Sequence, residues 1–240
     1  MLVAAGALTW LDQWAVDHLM PGLDRGAGSR GGGIIGSVGI SEALLPGFKA
    51  PRHGNEAVAA VTYAIVVLAS VLPSVLMVGG SLAVLVRRGQ RALPATLGVA
   101  FVVANLAEVV SKLSLVRPGL HTVGPAGALP RILPFDQSYP SGHALRAALL
   151  AACLCAVWRR ARGPLVAWAL AVPVMLVAGG WHTPTDVIGG TLLAVAFTAA
   201  AVVIAPRAAA RWPRLLGDRQ PGSGGGAAPG GAAPGGAAAG

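Results

Sequence analysis

The stretch Val187-Ile-Gly-Gly-Thr-Leu-Leu-Ala-Val-Ala-Phe-Thr-Ala-Ala-Ala-Val-Val-Ile-Ala205 runs for nineteen residues without a charged side chain. A helix of that length crosses the hydrocarbon core of a bilayer, where backbone N–H and C=O groups find no water and must pair within their own segment. Four further runs of the same kind precede it. Ala57 to Val86 carries Pro73, which is expected to kink it. Leu93 to Leu115 has Glu108 and Lys112 near its far end, and Leu165 to Trp181 leads into the last run. Ala144 to Trp158 is short by itself and reaches spanning length if its helix starts at Ser141. Leu2 to Met20 is interrupted by Asp12, Asp17 and His18. It reads as an abbreviated span, a membrane-surface helix or the end of a span that starts upstream; with no basic segment before it, it does not read as a cleavable signal. The expected fold is therefore all-α: a polytopic membrane helix bundle of five spans plus an abbreviated N-terminal sixth.

Composition agrees with the runs. Hydrophobic residues make up 55% of the 240 residues and charged residues 11%, far from the balance of a soluble domain. The net charge of +9 raises nucleic acid as a partner, but no basic stripe is interleaved with aromatic residues, and the arginines gather in short clusters between apolar runs. Arg87, Arg88 and Arg91 follow the first long run, Arg159, Arg160 and Arg162 the third, and Arg207, Arg211 and Arg214 the last. With alternating spans these clusters share one side, which the positive-inside rule makes cytoplasmic. The Gly-rich segment 21–55, the loop 117–139 and the turn Trp181 to Asp186 then share the external face. Three regions result: an N-terminal helix with an external Gly-rich segment (1–56), a membrane bundle (57–205), and a basic, then Gly/Ala/Pro-rich cytoplasmic tail (206–240) expected to be disordered. Cys153 and Cys155 lie two apart in one apolar run, so they point to different faces and read as apolar fillers rather than a disulfide or metal pair.

Chemistry concentrates at the mouths of these runs. Pro140-Ser141-Gly142-His143 opens one span, and His182-Thr183-Pro184-Thr185-Asp186 opens another. A histidine serves as nucleophile or proton donor near neutral pH, and a carboxylate four residues away can orient it. Lys112 and Arg117-Pro118 end a third span at the same expected level. Ionisable residues at membrane depth are costly and tend to be functional. Each also has a plainer reading: Lys112 pairing with Glu108 one turn back, Arg117 binding lipid head groups, or either histidine serving as a helix-end hydrogen-bonding group.

These residues resemble the type 2 phosphatidic acid phosphatase superfamily of integral-membrane lipid phosphatases. Its signature has three parts: Lys, six residues and Arg-Pro; Pro-Ser-Gly-His; and Ser-Arg, five residues, His, three residues, Asp. Tyr139-Pro140-Ser141-Gly142-His143-Ala144 matches the second part completely, and Gly180-Trp181-His182 through Asp186 to Gly190 looks like the second half of the third. The resemblance covers roughly 57–205. It departs in two places. Counting from Lys112, the Arg-Pro pair should fall on Gly119-Leu120, whereas Arg117-Pro118 lies two residues early. The arginine of the third part falls on Leu176, with Met175 at the serine. Two guanidinium clamps for the transferring phosphoryl group are thus missing from their usual places. Arg117 is expected to take over from its missing neighbour, with Arg146, three residues past His143 on the same helix face, helping. Arg131 and Arg52 are weaker candidates, and the plainer reading of Arg146 is a pairing with lipid phosphate or Asp136.

The resemblance implies a metal-free, cofactor-free reaction through a phosphohistidine. His182 attacks phosphorus, Asp186 orients its ring, and His143 protonates the leaving group and then activates water. Ser141 and Gly142 at a helix N-terminus, with Lys112, Arg117 and Arg146, bind the phosphate. The implied partner is a phosphorylated membrane lipid, a polyprenyl phosphate or phospholipid phosphate, met at the outer face of a bacterial plasma membrane. The rival expectations are a degenerate member that binds or moves such lipids without hydrolysis and, more remotely, a structural membrane protein or a vanadate-holding haloperoxidase.

Overall fold

The computed structural model of the chain describes residues 8–19, 64–115, 120–122, 131–133, 139–178 and 181–216. Among these, helix α1 covers Thr9–Leu19, α2 Val71–Arg87, α3 Ala92–Ser114, α4 Gly142–Val157, α5 Arg162–Ala178, α6 Pro184–Arg211 and α7 Pro213–Leu216. A 3-10 turn, Arg159–Ala161, leads into α5. Among the described residues the one departure from helix is a small antiparallel pair, β1 (Leu120–Thr122) and β2 (Arg131–Leu133), with Leu120 opposite Leu133 and Thr122 opposite Arg131. The Gly-rich segment 21–55, with Arg52, and the tail 217–240 lie outside the described residues.

Three helices are long and apolar enough to cross a membrane: Ala92–Ser114, Arg159–Ala178 and Pro184–Arg211. Helices α2 and α4, of 17 and 16 residues, are apolar but shorter. Helix α3 shows the pattern of a lipid-facing span. Leu97, Ala100, Ala104 and Glu108 recur at helical spacing on its buried face, while Val99, Val102, Leu106, Val110 and Leu113 are exposed on the other. A buried carboxylate inside and bare valines outside reverse the order of a soluble helix. Helix α4 is the central element, packed against α2, α3, α5 and α6, with eleven of its sixteen residues buried. Helix α6 starts three residues before the expected run and continues past Pro206, beyond the region boundary expected at 205. Beside that proline, Arg207 Nη1 donates to the Val203 carbonyl at 2.7 Å.

The expected single span from Ala57 to Val86 is interrupted. Residues 64–67 are helical, 68–70 form a turn, and α2 begins at Val71 with Ser70 as its N-cap. Pro73 therefore lies in a first helical turn, where its missing N–H costs nothing, instead of kinking a continuous helix. The break leaves carbonyls without helical donors, and side chains from other helices supply them. Arg146 Nε donates to the Ala69 carbonyl at 2.9 Å, the group Pro73 cannot serve. Trp168 Nε1 donates to the Ile65 carbonyl at 2.9 Å. Buried main-chain acceptors left bare would each cost about 1–3 kcal/mol, so these two bonds hold the broken segment against α4 and α5.

The two ends of α4 have opposite character. At its C-terminus, Arg88 Nη1 caps the Val157 carbonyl at 2.7 Å, which brings the arginine cluster after α2 to the cluster after α4. Its N-terminus, some 20 Å away by helical rise, meets the polar ends of α3 and α6. One apolar cluster, including Val78, Leu85, Leu150 and Leu154, fills the arginine end. Another, including Ala144, Ala147, Val172, Leu176 and Val187, underlies the opposite end.

Candidate active site

Helix α4 starts at Gly142 because Ser141 caps it: the backbone of Ser141 is extended and its hydroxyl accepts from the Ala144 N–H at 3.4 Å. Helix α6 starts by a related device. Thr183 is its N-cap, Pro184 its first residue, and the Asp186 carboxylate folds back to accept from the Thr183 N–H at 3.0 Å. The two helix starts are joined directly, since the Ser141 N–H donates to the Asp186 carbonyl at 2.9 Å. Pro-Ser-Gly-His and His-x-x-x-Asp, forty residues apart in the chain, thus form one structure.

Three glycines permit this closeness. A methyl group on Gly142 would overlap the Glu108 carboxylate, one on Gly189 the Tyr139 ring, and one on Gly190 the Ser141 carbonyl. The last contact is against rigid backbone. Gly190→Ala is therefore expected to destabilise the protein by about 1–3 kcal/mol, the usual cost of overpacking, read as a lowered melting temperature in detergent. An unchanged melting temperature would show that α4 and α6 do not approach so closely.

His182 Nδ1 faces Asp186 Oδ2 at 3.4 Å, and the His182 side chain is 14% exposed while Asp186 is fully buried. That carboxylate oxygen also holds the Thr183 N–H, so Asp186 is fixed by the backbone before it touches the ring. A separation of 3.4 Å is long for a hydrogen bond. The loop ahead of His182 is anchored as well: the Trp181 and His182 amides donate to the Leu176 carbonyl at 3.0 and 3.3 Å. His143 lies in the electrostatic field of His182, Lys112 and Arg146, and its Nε2 is buried with no protein partner among the described residues.

Glu108 organises the cations. Its Oε1 accepts from Lys112 Nζ at 2.6 Å, the pairing that their four-residue spacing suggested. Its Oε2 accepts from Arg146 Nη1 at 3.0 Å, and Arg146 Nη1 also reaches Asn105 Oδ1 at 3.3 Å. With its Nε on Ala69, Arg146 is buried on α4 between α3 and the turn that precedes α2. A phosphate or Asp136 was the expected partner of this residue; among the described residues it pairs with Glu108, a buried carboxylate within reach of its fork together with the Ala69 carbonyl. Leu176, where the resemblance puts an arginine, is 2% exposed and fills the apolar cluster beneath the site, with Met175 packed against the same cluster.

The structure thus brings together Lys112, Ser141, Gly142, His143, Arg146, His182 and Asp186. Arg117, Pro118, Gly119 and Asp136 lie outside the described residues, as does the side chain of Arg131. Among the described residues, no three His, Cys, Asp or Glu side chains converge as a metal site would require. Sequence reasoning overlooked three participants: Asp12, Thr185 and Asn105. Asp12 Oδ1 accepts from the Thr185 N–H at 3.0 Å and Oδ2 from its hydroxyl at 2.5 Å. The only sequence signal for Asp12 was an acid interrupting an apolar stretch.

This arrangement offers two imidazoles, one backed by a carboxylate, beside the N-terminal N–H groups of α4, whose partial positive charge favours an anion. Residues 91–210 match the family model described as the PAP2 superfamily. No curated protein sequence and no solved structure matches the chain significantly.

Proposed function

Since the chain belongs to the PAP2 superfamily, which implies phosphatase-type activity on phosphorylated substrates, we propose that it hydrolyses the phosphomonoester or pyrophosphate of a membrane lipid through a phosphohistidine. The observation that supports this reading is the bond from the Ser141 N–H to the Asp186 carbonyl, which joins the starts of α4 and α6, the two helices next to whose first turns His143 and His182 stand. His182 Nε2 attacks phosphorus in line; with Nδ1 turned to Asp186, Nε2 is the nitrogen left for the attack. As the N–P bond forms, the P–O bond to the leaving group breaks, and His143 gives its proton to the departing oxygen. His143 then takes a proton from water, whose oxygen attacks phosphorus, and the N–P bond breaks to release inorganic phosphate. The N–H groups at the start of α4 and the Ser141 hydroxyl hold the non-bridging oxygens. Lys112 and Arg117 neutralise their charge.

An amphiphilic substrate suits a site at the end of apolar helices that expose valine and leucine faces. Polyprenyl phosphates and phospholipid phosphates both fit, in a bacterial plasma membrane with the site outside and the arginine clusters and C-terminus in the cytoplasm. One observation favours a second reading, a member that binds or moves lipid phosphates without cleaving them. Lys112 and Arg146, the two cations acting on His143, are both engaged by Glu108. Brief incubation with a radiolabelled lipid phosphate, quenched in alkali, distinguishes the two. Hydrolysis predicts label on histidine in wild type and none in His182→Ala. Binding of the lipid with neither labelling nor phosphate release would establish the second reading.

A further inference from the structure

Helix α1 lies outside the segment that carries the family match, yet it places a charged side chain against the candidate active site. Asp12 is 1% exposed, on the face of α1 that also buries Ala15 and Val16, while Trp10 and Trp14 on the opposite face are exposed. Both carboxylate oxygens meet Thr185, the residue between Pro184 and Asp186 in the first turn of α6. The first N–H groups of a helix have no intrahelical acceptor. Pro184 has none to offer, the Thr185 N–H is taken by Asp12 from 173 positions away, and the Asp186 carboxylate takes the Thr183 N–H. Through the Thr185 hydroxyl the contact continues to the Thr183 hydroxyl at 3.4 Å. The Thr185 hydroxyl donates to Asp12, which turns its lone pairs towards Thr183.

We propose that Asp12 is a positioning residue for the His182–Asp186 pair: by chelating Thr185 it fixes the first turn of α6, and with it the angle at which Asp186 presents its carboxylate to His182. This rests on the reading of His182 as the nucleophile oriented by Asp186. In this role Asp12 acts through Thr185 and not on the reacting atoms themselves. The buried acid that breaks the apolar character of the N-terminal segment is thereby accounted for.

The test is steady-state kinetics of the full chain in detergent with a lipid phosphate, together with 15N spectra of histidine-labelled protein, the His182 signals being assigned from His182→Ala. Asp12→Ala is expected to lower kcat about 10- to 100-fold while KM stays within about twofold, since displaced reacting groups cost rate more than binding. The His182 nitrogen signals should shift in the same variant. Asp12→Asn, which keeps an acceptor for the Thr185 N–H, should recover much of kcat. Asp17→Asn, at an exposed acid on the same helix, should leave both readouts unchanged. Should Asp12→Ala not fold, Thr185→Val removes the hydroxyl contact alone, and its effect should not add to that of Asp12→Asn. Unchanged kcat and unchanged His182 signals in folded Asp12 variants, or strictly additive effects, would overturn the proposal. A wild-type protein that releases no phosphate would instead count against the hydrolytic reading, while the His182 signals would still report whether Asp12 governs the pair.

Discussion

Replacing His182 with alanine is expected to abolish phosphate release, lowering kcat by at least about 10³-fold, because groups acting as one unit with a nucleophile fail together. The argument begins with local geometry. His182 directly precedes the N-cap of α6, its amide held by the Leu176 carbonyl and its Nδ1 turned to Asp186. The ring is therefore aimed before any substrate arrives, and nothing in the reaction as proposed can replace Nε2 once it is gone. The proposed binding groups are separate, namely the start of α4, Ser141, Lys112 and Arg117, so KM should change far less than kcat. Asp186→Asn should also be severe, because an amide at that place presents the wrong hydrogen-bonding pattern to the imidazole. Phosphate release measured across a panel of lipid phosphates checks both variants. Activity of His182→Ala within about tenfold of wild type would be too large for loss of a nucleophile and would remove His182 from that role.

The second large effect concerns folding. Glu108→Ala is expected to destabilise the protein by about 3–5 kcal/mol, the usual cost of removing one partner from a buried ion pair. Glu108 and Arg146 are 5% and 7% exposed, and loss of the carboxylate leaves the Arg146 guanidinium with Asn105 and the Ala69 carbonyl but no countercharge among the described residues. Arg146→Met should cost about as much for the mirror-image reason, and it also strips the Ala69 carbonyl of its donor. The combination Glu108→Leu with Arg146→Met should be markedly less damaging than the sum of the two, since the charges then disappear together. Thermal or denaturant unfolding in detergent reads all three. Additive losses would show that the pair contributes nothing as a pair. The same variants bear on the site, because Glu108 also holds Lys112: freed from its carboxylate, Lys112 should bind inorganic phosphate more tightly in any Glu108 variant that still folds.

Much of the site was legible in the chain because its pairs are local. His182 and Asp186 are four residues apart, as are Glu108 and Lys112, and that spacing alone brings side chains together on a helix or at its start. Ser141 as a cap and the two histidines at helix mouths could be read in the same way. The identity of Arg146's partner could not. Its face relative to His143 follows from the helical repeat, but whether that face meets phosphate, lipid or a carboxylate depends on how α3 packs beside α4, 38 residues earlier in the chain. Pro73 was visible as a breaker, but whether it kinks a helix or begins one depends on donors from Arg146 and Trp168 that only packing delivers.

By itself, then, the amino-acid sequence determined the apolar helical runs, the clustering of arginine away from the histidines, and the two motifs that open α4 and α6. These follow from hydropathy and from contacts within one helical turn. Only the tertiary structure decided that Glu108 joins Lys112 to Arg146, that Leu176 fills core where the family signature has an arginine, and that Asp12 reaches Thr185. Each of these joins residues that are remote in the chain. The outcome rests on which helix faces come into contact and how closely, and here three glycines with no room for a methyl group allow that approach.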